Sequence, residues 1–147
     1  MDREIRIRGG DHFAALAQAA PALDTAQKKQ VTAALEDICS EFGSEEVNYI
    51  RAKIKRKISI LKGSSTSWVR QMALGFATLY SWFEHELKSE DSINRQTVRY
   101  AGATLFYLIN PFDLIPDHTV GIGFSDDVLA LYLCARQLPP PWTEFRD

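Results

Sequence analysis

Cysteine is scarce in this chain, and the two that occur, Cys39 and Cys134, lie far apart inside apolar-periodic segments. That spacing argues against a disulfide framework or a zinc ligand set and fits buried thiols in a reducing compartment. Long hydrophobic runs are also missing. The longest nearly apolar stretches, Met72 to Phe83 and Ala101 to Ile109, fall short of the ~20 residues that span a bilayer core. No segment alternates apolar and polar residues over a strand's length, and hairpin dipeptides are lacking at the turns. Neither sign of charge dominates: a net charge of -2 gives no global pull toward nucleic acid or anionic membrane, so such binding needs a local patch. The opening Met1-Asp-Arg-Glu-Ile-Arg-Ile-Arg8 carries charge where a signal peptide requires an apolar core, and a cytoplasmic location is expected.

What is present is helix punctuation. A chain of 147 residues, 46% hydrophobic and 24% charged, suits one globular domain over residues 1–147. Asp11 is placed to cap a short Ala-rich helix that Pro21 ends. Asp24 or Thr25 opens a second, with Gly43 after Phe42 as its C′ glycine. Ser44 starts a third with Glu45 and Glu46 in its first turn, Lys62 in its last and Gly63 beyond. Ser64 to Ser67 cap a long fourth helix through about Leu87. Ser92 or Asn94 caps a fifth that runs to Asn110, and Ser125 caps a sixth ending at Leu138 before Pro139-Pro-Pro141. The fold expected is all-α, a compact bundle of about six helices.

The third helix carries a narrow apolar stripe of Val47, Ile50, Ile54, Ile58 and Leu61. The fourth presents Trp68, Met72, Phe76, Leu79, Phe83 and Leu87, widened by Val69, Tyr80 and Trp82. The fifth and sixth are apolar almost all round and should form a central antiparallel hairpin, wrapped by helices two to four. Their connection then lies at one pole, where charged groups stay hydrated.

That connection is the most informative segment of the chain. Asn110-Pro-Phe-Asp-Leu-Ile-Pro-Asp117, followed by Gly121-Ile-Gly-Phe-Ser-Asp-Asp127, crowds four aspartates and two prolines between two apolar runs. With Tyr107-Leu-Ile ahead of it and an apolar helix behind, it resembles the YkvA-like domain of unknown function. That family's pattern is an apolar helix, a Pro-x-Asp-x-Ile-Pro-Asp turn, a Gly-aromatic step and an Asp-Asp pair. The resemblance covers about residues 98–133 and implies no reaction, substrate or cofactor. One departure stands at Val120 and Gly121, where family members commonly place a proline followed by an apolar residue.

Two physical readings of the connection compete. In the first, Asp113, Asp117, Asp126 and Asp127 offer hard oxygen ligands suited to Mg²⁺, Ca²⁺ or Mn²⁺, although their spacing is not that of an EF-hand. The second is architectural and ranks ahead. Asp113 caps a short turn containing Pro116, Pro111 stops the fifth helix, and Gly121 and Gly123 permit positive φ. Asp126 and Asp127 follow the cap Ser125 into the positive end of the helix dipole. A phosphate cradle at Gly121-Ile-Gly123 is rejected, because two aspartates at that helix start repel an anion.

Elsewhere the sequence offers less. Arg51, Lys53, Lys55, Arg56 and Lys57 make the densest basic run, but at 100° per residue they spread around the non-apolar arc. A solvated helix face is the better reading, with an anionic surface the sharper alternative. His85, between Glu84 and Glu86, forms no chelate with its immediate neighbours. His118, directly after Asp117, offers a further ligand or titrating group, although members of the family it resembles commonly place an apolar residue there. No serine or cysteine has a nucleophile's surroundings, so no catalytic residue is assigned. The tail, residues 139–147, holds three prolines with Trp142 and Phe145 and is read as folding back over the bundle, with a docking peptide for a partner as the sharper alternative. The function expected is a non-enzymatic helical interaction or scaffold protein whose partner is another protein. A divalent-metal site and peripheral membrane contact are the alternatives, and no specific nucleic acid is implied.

Overall fold

The computed structural model describes Gln18, residues 23–109 and residues 124–138. Among the described residues the chain forms five α-helices and one 3₁₀ turn, with no strand. The expected Ala-rich first helix, the Asp/Pro connection and the proline-rich tail lie outside them.

Helix α1 spans Thr25–Ser40, and its start is set locally. Asp24 accepts from the Gln27 N–H at 2.7 Å, while the Gln27 side chain accepts from the Asp24 N–H at 2.9 Å. Two N–H groups that the helix cannot satisfy are thereby paired reciprocally. Helix α2, Ser44–Lys62, begins and ends as its charges predict, with Glu45 and Glu46 in the first turn and Lys62 in the last. Gly43 does not serve as the C′ glycine of α1. It is the N-cap of α2, in extended backbone, and its N–H donates to the Glu46 carboxylate at 2.8 Å. The break between the helices is three residues long, with Glu41 closing α1 and Gly43 opening α2.

Helix α3, Ser67–Glu86, follows a four-residue link and is capped by Thr66 without a side-chain hydrogen bond. A 3₁₀ turn, Ser92–Asn94, then occupies the place where the fifth predicted helix was expected to begin. Helix α4 starts only at Gln96 and runs to Ile109. Ser92 and Asn94 therefore belong to the turn that redirects the chain, and Asp91 enters it at φ 61°. Helix α5 covers Ser125–Ala135.

The packing follows the apolar stripes. Val47, Ile50, Ile54, Ile58 and Leu61 are all buried on α2, and Met72, Phe76, Leu79 and Phe83 are wholly buried on α3. Helix α4 is buried on nearly every side and packs against α1, α2, α3 and α5, which makes it the axis of the bundle. One long-range device completes α1. The Arg99 guanidinium, from α4, donates to the carbonyls of Cys39 and Ser40 at 3.0 Å each and of Ile93 at 3.3 Å. A cation thus meets the negative end of the α1 dipole, adding to the Phe42 N–H that the Cys39 carbonyl already accepts.

Candidate functional site

The described part of the site is the junction between the end of α4 and the start of α5. Tyr107 lies one half-turn before the end of α4. A tyrosine in an otherwise apolar helix needs a partner for its hydroxyl once buried. It finds one across the junction: the Tyr107 hydroxyl donates to Asp126 Oδ2 at 2.9 Å, with both residues buried. The other carboxylate oxygen, Asp126 Oδ1, accepts from the Asp127 N–H at 3.1 Å.

Asp126 and Asp127 are 0% exposed, so the expectation that these carboxylates stay hydrated is not met. The first turn of α5 enters the core directly, carrying Ser125, Asp126, Asp127 and Val128 below the surface together. An ionised carboxylate taken out of water requires hydrogen bonds, an opposite charge or a cation. Asp126 has at least two such donors in Tyr107 and the Asp127 backbone.

Ser125 is not the cap of this helix. It is the first helical residue, and the cap position belongs to Phe124, whose φ of 73° lies in the left-handed region. A bulky residue there is uncommon and is held by its surroundings. Lys57, from the basic run on α2, sits with Nζ 5.5 Å from the centroid of the Phe124 ring, within cation–π range. The Ser125 hydroxyl is buried, and it has no hydrogen-bond partner among the described residues.

Of the four aspartates read as metal ligands, Asp126 and Asp127 are brought together, while Asp113 and Asp117 lie outside the described residues. Pro111, Pro116 and Gly123 lie outside them as well, as do His12 and His118. Among the described residues, no group of three or more His, Cys, Asp or Glu side chains is placed to hold a metal. Asp126 and Asp127 carry hard oxygen atoms, and both oxygens of Asp126 accept hydrogen bonds within the protein.

The basic run divides into separate roles. Arg51 makes a two-pronged ion pair with Glu84 on α3, Nε to Oε2 at 2.7 Å and Nη2 to Oε1 at 2.8 Å. The Tyr80 hydroxyl donates to the same carboxylate at 2.8 Å. The Arg51 hydrogen bonds hold the Glu84 carboxyl below its ordinary range, and burial pushes the Tyr80 phenol up to about 12. Lys53 lies over the Tyr49 ring, while Lys55 and Arg56 are exposed. Reading along the sequence missed Tyr107, Arg99 and the Lys57–Phe124 contact. For Tyr107 a signal was there, namely a hydroxyl in the apolar run from Ala101 to Ile109, just ahead of the aspartate-rich connection.

No curated protein and no solved structure matches the chain. Residues 98–133, from α4 through the connection into α5, match the model of a family described as a protein of unknown function (DUF1232), with which the YkvA-like resemblance is consistent.

Proposed function

We propose that this protein is a cytoplasmic helical interaction module without catalytic activity of its own, and that the connection 110–123 is its recognition element for another protein. In this reading α4 and α5 form an antiparallel hairpin and the connection joins them at its open end. The observation that carries it is the buried Tyr107–Asp126 bond, which ties together the two helix ends that flank the connection. A recognition segment held at both ends loses less conformational freedom on binding than a free one. Photo-crosslinking in cells tests this, with a photoreactive residue at Ile115 and, as a control, at Lys29 on α1. A discrete adduct formed only from Ile115, and lost in Asp113→Asn and Asp117→Asn, is expected. No adduct from Ile115, or the same adducts from both positions, overturns the reading.

A second reading is favoured by one specific observation, the complete burial of both Asp126 and Asp127 beside a connection that carries Asp113 and Asp117. Here the four carboxylates hold Mg²⁺, Ca²⁺ or Mn²⁺ in a regulatory or hydrolytic role. Thermal unfolding of EDTA-treated protein with and without each ion tests it. Ligand at 100 times its dissociation constant adds about 2.7 kcal/mol to the folded state. A rise selective for one ion, lost in both Asp113→Asn and Asp126→Asn, supports a metal site. Unchanged melting with every ion removes it.

A further inference from the structure

We infer that the α2–α3 pair docks on an anionic phospholipid surface, with α2 lying along the headgroups and Ile60 entering the acyl boundary. From Val47 to Phe83 the sequence contains seven Lys and Arg residues and not one Asp or Glu, although the whole chain is net acidic. The α2–α3 pair thus carries seven cations, with its four carboxylates, Glu45, Glu46, Glu84 and Glu86, confined to the start of α2 and the end of α3. Among the described residues, the large hydrophobic side chains left exposed are Ile60, at 61%, and Leu74, at 57%. Both fall within this same acid-free stretch.

Charge and exposure together identify the partner. Arg51 is engaged by Glu84, and Lys57 lies over Phe124. Lys53, Lys55, Arg56 and Lys62 remain exposed. Tyr49, Lys53, Arg56 and Ile60 recur at helical spacing and share one flank of α2, with Lys55 and Lys62 on the other. A helix with cations on both flanks and an exposed isoleucine at its C-terminal end matches a surface that is anionic above and apolar below. A nucleic acid would satisfy the cations but not Ile60. The aromatic residue on that flank, Tyr49, is packed against Phe106 with ring centroids 5.3 Å apart and is not presented for base stacking. No described helix is long and apolar enough to cross a membrane, so the contact proposed is peripheral.

The test is co-sedimentation of the full chain with vesicles of phosphatidylcholine alone and of phosphatidylcholine mixed with phosphatidylglycerol, at low and high salt. The variants are Lys55→Gln/Arg56→Gln, Ile60→Ser and, as a control on α1, Lys28→Gln/Lys29→Gln. All these positions are exposed, and circular dichroism checks that each variant folds. Binding is expected only to the anionic vesicles, falling with salt. It should weaken about fivefold for each α2 cation removed, weaken several-fold in Ile60→Ser, and remain unchanged in the α1 control. Absence from the low-salt anionic pellet overturns the inference, as does a loss in the α1 control equal to that on α2. So does wild-type binding by Ile60→Ser together with equal retention on heparin, which would mark a general polyanion site.

Discussion

Tyr107 and Asp126, nineteen residues apart in sequence, share a buried hydrogen bond of 2.9 Å across the junction of α4 and α5. The bond has more influence than its length suggests because its acceptor is a fully buried carboxylate. Removing the donor leaves part of that carboxylate without one of its partners. Tyr107→Phe is therefore expected to destabilise the fold by about 1.5–3 kcal/mol, as read from chemical denaturation. Asp126→Asn keeps an oxygen that accepts from Tyr107 and should cost less on that contact. The double mutant should be less destabilised than the sum of the singles, the signature of a direct coupling.

Arg99 supplies a second long-range prediction. Its guanidinium meets three carbonyls, two at the C-terminal end of α1 and one in the 3₁₀ turn. Arg99→Ala removes a donor from all three and leaves Cys39 with the Phe42 N–H, and a loss of about 1–3 kcal/mol is expected. Arg99→Lys retains the charge but not the planar fork and should recover only part of the loss. Hydrogen exchange should locate the effect in the last turn of α1. Uniform deprotection of the whole bundle would contradict this account.

Gly102 marks the closest approach of two elements. A Cβ at this position would overlap the Cζ, Cε1 and Cε2 atoms of Phe42, whose ring also meets Phe83 edge-on at 6.0 Å. The glycine is needed for space. Gly102→Ala is expected to lower stability by about 1–3 kcal/mol through overpacking. Phe42→Leu, which alone loses ring contacts, should relieve the clash when combined with it. Simple addition of the two costs would show that the ring yields without strain.

How much of this was legible beforehand depends on range. Asp24, Glu45, Glu46, Lys62 and Gly63 act within a turn or two of themselves, so a sequence reading places them correctly. The apolar stripe of α2 is periodic and equally plain. Gly43 and Ser125 were misplaced by one helix end or one residue, because a cap depends on backbone angles that neighbours impose. Phe124 at φ 73° is such a case, since no propensity puts a phenylalanine there. Arg99 reaches α1 across sixty residues, and Arg51 reaches Glu84 across thirty-three. Pairings of that kind leave no local period to read. The burial of Asp126 and Asp127 was hidden for a related reason: the rule that carboxylates favour a helix start says nothing about how deep that start lies.

The Arg51–Glu84 pair gives a pH dependence with a defined sign. Hydrogen bonding from Arg51 lowers the Glu84 carboxyl in the folded state, burial opposes it, and the Tyr80 hydroxyl assists. In the unfolded chain a glutamate titrates near about 4.3. The contribution is thus full above that value and is lost as pH falls through the lower folded value. Arg51 is half-exposed, so solvent screening keeps the gain to about 0.5–1 kcal/mol. Melting of Glu84→Gln should lie below wild type at neutral pH, and the two curves should converge as the solution is acidified below pH about 4.

The two thiols titrate with the opposite sign. Cys134 is wholly buried, and burial pushes its thiol up to about 12 against a smaller opposing hydrogen bond with Thr104. Burial also raises Cys39, less strongly, because Arg99 lies beside it and the Gln96 side chain donates to its sulfur at 3.4 Å. A raised thiol contributes stability that is full below the unfolded value of about 8.5 and declines as pH climbs through the folded one. Since the thiolate is the reactive form, neither cysteine should react with a disulfide reagent in the native protein near pH 8. Both should react at once in denaturant. Cys39 should be the faster of the two under native conditions, since the last turn of α1 opens at less cost than the core around Cys134. Arg99→Ala, which loosens that turn, should speed Cys39 while leaving Cys134 unchanged. Equal acceleration of both thiols would mean that each is exposed only by global unfolding, and the local opening of α1 would have to be abandoned.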